Sequence, residues 1–156
     1  MLPTHKAVRD LLAERTGRGV TLAPALPYAP GSRERATYAV FVDAALRTHA
    51  VVVCDLTLSV LLGAASAMIP VGGTEAEIAQ RWLAPGTTRR LREVIEGFTG
   101  LLSPAGELRM HDLYVPGVEP PTDIPAYAHS LGRRLDLEVA ISAYGQGRLS
   151  VVCPAV

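Results

Sequence analysis

The sequence has few of the residues that would assign it to a specialised class of protein. It contains only two cysteines, Cys54 and Cys153, and they lack the C-x-x-C spacing of redox and zinc motifs. Aromatic residues make up 5% of the chain, and its most apolar stretch, residues 60–69, has about half the length that crosses a bilayer. We therefore expect reduced cysteines that pack as small apolar side chains, and no membrane-spanning helix.

An excess of charge of either sign is also missing. The 156 residues include 15 Lys and Arg and 15 Asp and Glu; residues 1–78 carry seven of each sign and residues 79–156 carry eight. Proteins that bind nucleic acid or an anionic membrane surface concentrate positive charge, so neither is expected as a partner. Lys6, Arg9 and Asp10 interrupt the apolar stretch that a secretory signal peptide needs, which predicts a cytoplasmic protein.

Motifs that bind nucleotides or support nucleophilic catalysis are absent. The sequence contains no G-x-x-x-x-G-K-[ST], no G-x-G-x-x-G and no G-x-S-x-G. His111, Asp112 and His129 show no recurring metal-ligand spacing, and we interpret them as ordinary strand and loop residues. The sequence therefore predicts no cofactor or metal held by the chain itself.

The sequence does contain enough apolar material for one folded domain. Apolar residues make up 49% and charged residues 19% of a chain whose length suits a single domain. In the first half, Thr4 is placed to cap a helix that Gly17 ends. The patterns predict a helix over residues 4–15, a strand over 19–23, a proline-rich loop, a hairpin of strands 36–42 and 49–56, and an apolar helix over 58–69 that Pro70 ends.

The second half repeats this kind of pattern. Thr74 and Glu77 have capping-box spacing at the start of a helix that Pro85 and Gly86 end. The patterns then predict a well-defined helix over residues 91–102, a strand over 108–115, a second proline-rich loop over 116–125, and a closing hairpin of strands 135–143 and 148–153.

Set side by side, the two halves have the same order of elements. Residues 4–56 and residues 88–153 each give helix, strand, proline-rich loop and hairpin, and the segment 57–84 links them. Because hairpins pair antiparallel and each helix has one apolar face, we predict an α+β fold with a mainly antiparallel sheet packed by helices. Residues 1–156 then form a single domain with an internal duplication.

The helix over 91–102 and its start carry a polar stripe beside the apolar face. Arg89, Glu93, Glu96 and Gly100 are four, three and four residues apart, so they lie on one side of a helix. One interpretation is a solvated face on which Arg89 and Arg92 pair with the glutamates four residues later, each pair worth roughly a few tenths of a kcal/mol. The other is a binding surface that presents a carboxylate, with Gly100 letting a partner approach closely.

Together these patterns resemble the CheC/CheX class of chemotaxis phosphatases and their CheX-like relatives. The order of hairpin, "LLGAASAMIP", acidic capped helix, "LREVIEGFTG", strand and terminal hairpin is similar to that family over nearly the whole chain. The resemblance includes the internal duplication for which the family is known. The active helix of the family carries a Glu, two residues, an Asn, three residues and usually a Gly, and the matching positions here are Glu93, Glu96 and Gly100.

The resemblance implies a CheY-like response regulator as the partner. In the family, the Glu pairs with the active-site lysine of the regulator, the Asn amide orients the water that attacks the aspartyl phosphate, and the metal belongs to the regulator. Glu93 fits the docking role because a carboxylate can pair with an ammonium. Glu96 replaces the Asn, has no N–H to donate, and would bring negative charge near the phosphoryl oxygens. Arg89 stands where the family has Ser or Asp, and the other copy offers only Asp10 and Ala13.

Three hypotheses for the function follow. In the first, the chain is a working or altered phosphatase whose catalytic residues are Glu93 and Glu96. In the second, which we favour, it is a non-catalytic CheX-like module of chemotaxis or two-component signalling that binds a regulator, a motor or signalling partner, or another copy of itself. In the third, it is an unrelated α+β interaction domain with an ion-paired surface helix. Because the CheX type dimerises through its sheets, the resemblance also implies a homodimer.

Overall fold

The centre of the protein is a six-stranded antiparallel sheet, and the computed structural model describes residues 2–31 and 33–154. Its strands are β1 (Val20–Pro24), β2 (Ala36–Val42), β3 (Thr48–Asp55), β4 (Arg109–Tyr114), β5 (Arg133–Ile141) and β6 (Gly145–Cys153). They lie in the order β1-β5-β6-β3-β2-β4, and each neighbouring pair is antiparallel. This order is symmetric between the two halves of the chain: β1, β2 and β3 take the same places counted from one edge as β4, β5 and β6 take counted from the other edge.

Helices connect the strands and cover the sheet. They are α1 (His5–Thr16), α2 (Leu56–Ser66), α3 (Glu75–Gln80), α4 (Pro85–Glu96), α5 (Phe98–Leu102) and α6 (Asp123–Ala128), with a 3₁₀ turn at Val71–Gly73. The expected α+β fold with a mainly antiparallel sheet packed by helices is therefore confirmed.

The two faces of the sheet carry separate apolar cores. The larger core holds the apolar faces of α1, α2, α4 and α5, and α2 is buried at every position over residues 58–65. The smaller core lies on the other face, where Tyr28, Ile124 and Ala128 cover the side chains of β2 and β3. Consequently α4 and α6 lie on opposite faces of the sheet.

Asp55 joins the two halves of the chain at the start of α2. Its Oδ1 accepts a hydrogen bond from the backbone N–H of Leu58 at 2.8 Å, which caps the helix, and its Oδ2 accepts one from the backbone N–H of Arg148 at 3.0 Å. A Cβ added at Gly147 would lie 2.6 Å from Oδ1, so the β6 backbone can approach this carboxylate only through a glycine. Burial raises the pKa of Asp55, and the two backbone N–H groups act against that rise.

Arg134 of β5 ties the covering segments to the second face of the sheet. Its guanidinium donates to Asp136 at 3.0 Å and to the backbone carbonyls of Ala128 and Ser130 at 2.9 and 2.6 Å. The Arg134 and Asp136 side chains are 9% and 10% exposed, and Ser150 donates its hydroxyl hydrogen to Asp136. This pair therefore fixes the end of α6 on the sheet.

Several local expectations are confirmed. The hydroxyl of Thr4 accepts from the backbone N–H of Ala7 at 3.1 Å and caps α1, and Gly17 ends that helix with a φ of +67°. Both hairpins form near the expected positions, and Cys54 and Cys153 are buried and free. In the part of the chain that the structure describes, no helix has both the length and the apolar character needed to cross a membrane.

The expected capping box at Thr74 and Glu77 is wrong. Thr74 has helical backbone angles and donates its hydroxyl hydrogen to the carbonyl of Val71, so it caps nothing. The carboxylate of Glu77 instead accepts from the backbone N–H of Ala84 and from the Thr87 hydroxyl. Glu77 thus connects α3 to the start of α4, and a spacing match alone could not reveal this.

The predicted boundaries of two helices also differ from the structure. The helix expected over 58–69 ends at Ser66, because Met68 takes a φ of +59° and the Tyr144 hydroxyl donates to the carbonyl of Ile69. The helix expected from residue 91 begins at Pro85, where a proline preset for helical φ has no N–H to leave unpaired.

The second proline-rich loop contains α6, which the sequence did not predict. Pro125 lies in the first turn of this helix, where backbone N–H groups have no partner within the helix. A proline there is tolerated, so the proline-rich composition was misleading at this one position.

Candidate functional site

The polar stripe lies on α4, which is seated against α2 by its apolar face. Thr87, Leu91, Val94 and Ile95 are buried on that side. A Cβ added at Gly63 of α2 would lie 2.6 Å from Cγ2 and 2.7 Å from the backbone oxygen of Thr87. The two helices are therefore in backbone contact at Gly63, and this contact fixes the position of α4.

Opposite this seat, α4 presents charged side chains to solvent. Arg89, Glu93 and Glu96 are all exposed and share one face of the helix through their spacing of four and three residues. The Glu93 side chain is 53% exposed, which leaves its carboxylate accessible to another molecule. The structure thus brings together three of the four site residues predicted from the sequence.

The surface ion pairs differ from those expected. Glu93 pairs with Arg90 at 3.8 Å, whereas the predicted pair of Glu93 with Arg89 is not formed. Within residues 2–31 and 33–154, Arg89, Arg92 and Glu96 make neither an ion pair nor a side-chain hydrogen bond. The face is solvated as expected, but the predicted pairs of Arg89 with Glu93 and Arg92 with Glu96 are wrong, because these side chains extend into solvent.

Gly100 lies beyond the end of α4, in α5. The two helices are separated at Gly97, although the φ of −60° and ψ of −23° at that residue keep the chain in a helical course. Gly100 is exposed, and a Cβ built there meets no described atom within 4 Å outside its own chain neighbours. The surface above Gly100 is open, as a binding interpretation of the stripe requires.

Sequence reasoning missed Gly97 and Arg15, which hold α1 beside α4. A Cβ at Gly97 would lie 2.5 Å from Cδ1 of Leu11 and 3.4 Å from Nε of Arg15. Arg15 also donates from Nη1 to the backbone carbonyl of Glu93 at 3.3 Å. Leu11 and Arg15 are one helical turn apart, so the spacing could have shown that they share a face of α1, but not what that face contacts.

The corresponding positions on α1 form no second site. Asp10 is exposed and pairs with its neighbour Arg9 at 3.3 Å, and Ala13 is half-buried. Gly17 is the left-handed end of α1, unlike Gly100, which lies inside a helix. α1 does expose Asp10 and Glu14, but the position that corresponds to Glu96 is Ala13, so the predicted pair of polar residues is absent from α1.

The chemistry available on the α4 face is recognition of charge. α4 exposes three arginines, Arg89, Arg90 and Arg92, and two glutamates, Glu93 and Glu96, so its outward face carries one more positive charge than negative. A fourth arginine, Arg15 of α1, donates to the backbone carbonyl of Glu93. The described residues include no group of three or more His, Cys, Asp or Glu that could hold a metal ion. The surface can accept a hydrogen bond from a cation and attract an anionic surface, but it has no side-chain amide.

The histidines considered in the sequence lie elsewhere. His111 and Asp112 are neighbours on the edge strand β4, 3.4 Å apart and both partly exposed. His129 follows α6 on the opposite face of the sheet. None of them approaches the stripe on α4 closely enough to form a hydrogen bond or ion pair with it among the described residues.

Comparison with known proteins gives matches at the level of structure only. No family model and no curated protein matches the sequence. A chain of the FliG–FliM complex from H. pylori has a TM-score of 0.62 at 11% identity, covering 96% of this chain and 85% of that chain. The FliM middle domain from H. pylori has a TM-score of 0.60 at 12% identity, covering 96% and 86%.

A chain of the CheX–CheY–BeF3–Mg complex from Borrelia burgdorferi is also similar. Its TM-score is 0.53 at 8% identity, covering 96% of this chain and 94% of that chain. At such low identity these likenesses show a shared fold and nothing about shared chemistry.

Proposed function

We propose that this chain, whose fold is of the CheC/CheX type, is a non-catalytic module that docks on a CheY-like response regulator through the outward face of α4. One observation carries the proposal: Glu93 is exposed on α4 and the surface at Gly100 of α5 is open, while a carboxylate, Glu96, stands where the family has its catalytic Asn. The similar structure from Borrelia burgdorferi, a complex of CheX with CheY, supports this choice of partner. A cytoplasmic location, where response regulators act, belongs to the same proposal.

Glu93 is suited to docking because its present interaction is weak. The Arg90 guanidinium is 3.8 Å away and both side chains are about half exposed, so this surface pair contributes at most about 1 kcal/mol. A lysine ammonium on a partner can replace Arg90 at little cost and form a charge-assisted hydrogen bond with the carboxylate.

Glu96 is unsuited to hydrolysis of an aspartyl phosphate. An ionised carboxylate has no hydrogen to donate, and the transition state for phosphoryl transfer carries negative charge on its equatorial oxygens. Although the four arginines around the stripe reduce this repulsion, they do not supply the amide that the family uses to orient water. We infer that binding persists and that catalysis is lost.

The surplus of arginine also favours an acidic partner. Opposite charges across an interface speed the encounter and fix the orientation of docking, and the effect weakens as salt rises.

The first test is binding to the CheY-like regulators of the same organism. Isothermal titration with the regulator in its BeF3-activated form is expected to give saturable binding that Glu93→Ala weakens by about tenfold, the effect of losing one charge-assisted hydrogen bond. Glu107→Ala is the matched control, because Glu107 is exposed and lies in the loop after α5. Equal affinities for both variants would contradict the docking model.

The second test separates docking from catalysis. Decay of the regulator's aspartyl phosphate is measured with the native protein, with Glu96→Asn, and with neither. We expect no acceleration by the native protein and faster decay with Glu96→Asn, which restores the amide. Faster decay with the native protein would instead make it a phosphatase that uses Glu93 and Glu96.

The FliM likeness favours a second candidate, an assembly module of the flagellar motor type. The TM-scores to the two FliM-related chains exceed the score to the CheX-related chain, and one of those structures is a complex with FliG. If this candidate holds, the regulator titrations show no binding and the chain co-purifies with a FliG-like protein.

We also propose that the chain forms a homodimer through an edge of its sheet. β1 and β4 are the two outer strands, so each has one side free of pairing within the described residues. Light scattering that gives a monomer mass at all concentrations would exclude the dimer.

A further inference from the structure

A groove lies on the face of the sheet opposite α4. It has a volume of about 610 Å³ and runs between the segment before β2 and the segment that leads into α6. Four prolines form much of its wall: Pro30, Pro116, Pro120 and Pro125. A groove of this size, with rigid apolar segments and several polar side chains in its wall, is typical of sites for small organic ligands.

Tyr38 lines this groove, and its hydroxyl has no hydrogen-bond partner among residues 2–31 and 33–154. The residue is only 5% exposed, and its ring belongs to the smaller apolar core. Its hydroxyl makes no hydrogen bond to any described residue, and no fully buried side-chain polar atom in the described chain lacks a partner. The exposed part of Tyr38 therefore includes the hydroxyl, which opens into the groove.

Tyr28, which packs in the same apolar core as Tyr38, shows the contrasting arrangement. Its hydroxyl donates to the carboxylate of Glu34 at 3.3 Å, so its polar atom is satisfied within the protein. Burial raises the pKa of Tyr38, and the negative charge of Glu34, which also lines the groove, adds to that rise. The Tyr38 hydroxyl consequently stays protonated at neutral pH, with the lone pairs of its oxygen free to accept a hydrogen bond.

The charges that line the groove favour a cation over an anion. Glu34 and Glu119 are both exposed at its wall. The one lining arginine, Arg35, donates from Nη1 to the backbone carbonyl of Arg81 at 2.6 Å and is held in that contact. His129 is the remaining titratable residue of the lining. A ligand ammonium would find a carboxylate and a hydroxyl oxygen, whereas a ligand carboxylate would meet two glutamates and one arginine that is already held by a backbone carbonyl.

We propose that this groove is a binding site for a small organic amine, whose apolar body packs on the proline wall and whose ammonium donates to the Glu34 carboxylate and the Tyr38 hydroxyl oxygen. The site is independent of the proposed regulator docking, because it lies on the other face of the sheet. The ligand is a small molecule, since the volume of the groove lies within the range of small-molecule sites.

The test compares three probes of one shape: phenethylamine, phenethyl alcohol and phenylacetate. In a titration followed by amide NMR of the full chain, phenethylamine is expected to give saturable shifts at residues 34–38 and 116–129. The alcohol should bind more weakly and the carboxylate should give no saturable shifts. Saturable shifts away from these segments, or equal binding of all three probes, would overturn the proposal.

Two variants test the assigned polar groups. Glu34→Gln should weaken phenethylamine binding by about tenfold or more, and Tyr38→Phe by about threefold, because each removes one hydrogen bond to the ammonium. Tyr38→Phe keeps the buried ring, so its NMR spectrum should otherwise resemble that of the native chain. Glu107→Gln, which removes a carboxylate outside the groove, is the control and should bind as the native protein does. Phenethylamine binding that Glu34→Gln leaves unchanged would overturn the assignment.

Discussion

α1 and α4 lie side by side on the helical face of the sheet, in two halves of the chain that we propose to be copies of one unit, yet they differ in what they show to solvent. α1 is held by a threonine cap and carries an acid, Asp10, that pairs with its neighbour. α4 has no side-chain cap and exposes Glu93 and Glu96 among arginines. Both helices expose charged side chains, but only α4 presents two glutamates at the positions of the predicted site.

The hairpins of the two halves differ in a parallel way. β2 is buried at all seven positions, whereas β5 carries Arg134 and Asp136 on the face that α6 covers. The first half thus contributes apolar surface to both cores, and the second half fixes its covering helix by a buried ion pair. Each difference leads to a variant that should affect one half more than the other.

Gly63→Ala should have the largest effect, because it displaces α4 from its contact with α2. The new Cβ would lie 2.7 Å from a backbone oxygen of Thr87, an atom that cannot move without its helix. We expect a loss of about 3 kcal/mol in the free energy of unfolding, measured by urea denaturation. Gly86→Ala is the control, since a Cβ at that exposed position of α4 meets no described atom within 4 Å outside its neighbours. Equal stability of the two variants would contradict the close contact of α2 and α4.

Asp136→Asn should follow in size, because it leaves the guanidinium of Arg134 buried without its counter-charge. Three backbone carbonyls still accept from Arg134, so we expect a loss of about 2 kcal/mol at neutral pH rather than the larger cost of a fully isolated charge. β2 carries no charged residue and offers no equivalent ion pair, so this sensitivity belongs to the second half alone.

The same pair predicts a dependence of stability on pH. Burial acts to raise the pKa of Asp136, but hydrogen bonds from Arg134 and Ser150 outweigh it and hold that pKa below the ordinary carboxyl value. A carboxyl whose pKa is lowered by folding stabilises the protein above its unfolded-state pKa, and that stability is lost as pH falls through the folded-state pKa. As pH falls below about 4, the ordinary carboxyl value, the native chain should therefore lose more stability than Asp136→Asn. Parallel pH profiles in urea titrations would contradict this role.

Gly97→Ala tests the contact between α1 and α4 with a smaller expected effect. The nearest atom to the new Cβ is Cδ1 of Leu11, the mobile end of a side chain, so the cost should be about 1 kcal/mol. Gly100→Ala, three residues later, should instead stabilise the chain by about 0.5 kcal/mol, because it replaces glycine in an exposed helix. If a partner approaches Gly100 closely, the same variant should weaken docking while it raises stability. Thermal denaturation and regulator titration of both variants provide the measurement.

The sequence allowed the fold to be predicted because most of its signals are local. The alternation in β5, the cap at Thr4 and the stop at Gly17 each depend on a few adjacent residues, and all are present in the structure. The errors at Thr74 and α6 arose where a tertiary contact or a tolerated first-turn proline decided the outcome.

The candidate site was only partly predictable for a similar reason. Helical spacing was sufficient to place Arg89, Glu93 and Glu96 on one face. It could not show that Glu93 pairs with Arg90, or that Gly97 rather than Gly100 is the glycine in close contact with α1. The groove around Tyr38 was invisible to pattern analysis, because its walls come from segments far apart in the sequence.

The variant with the smallest expected effect, Asp10→Ala, lies on α1 and tests the comparison of the two helices most directly. Asp10→Ala removes the acid at the position that corresponds to Glu93, but Asp10 is exposed and pairs only with Arg9, so the free energy of unfolding should change by less than about 0.5 kcal/mol. Regulator affinity should stay within about twofold of the native value, whereas Glu93→Ala lowers it by about tenfold. Each variant deletes one exposed carboxylate from one of these two adjacent helices, so a general loss of negative charge would weaken regulator binding equally in both. Equal weakening would therefore show that the regulator senses only the charge of the helical face, and that α4 has no advantage over α1.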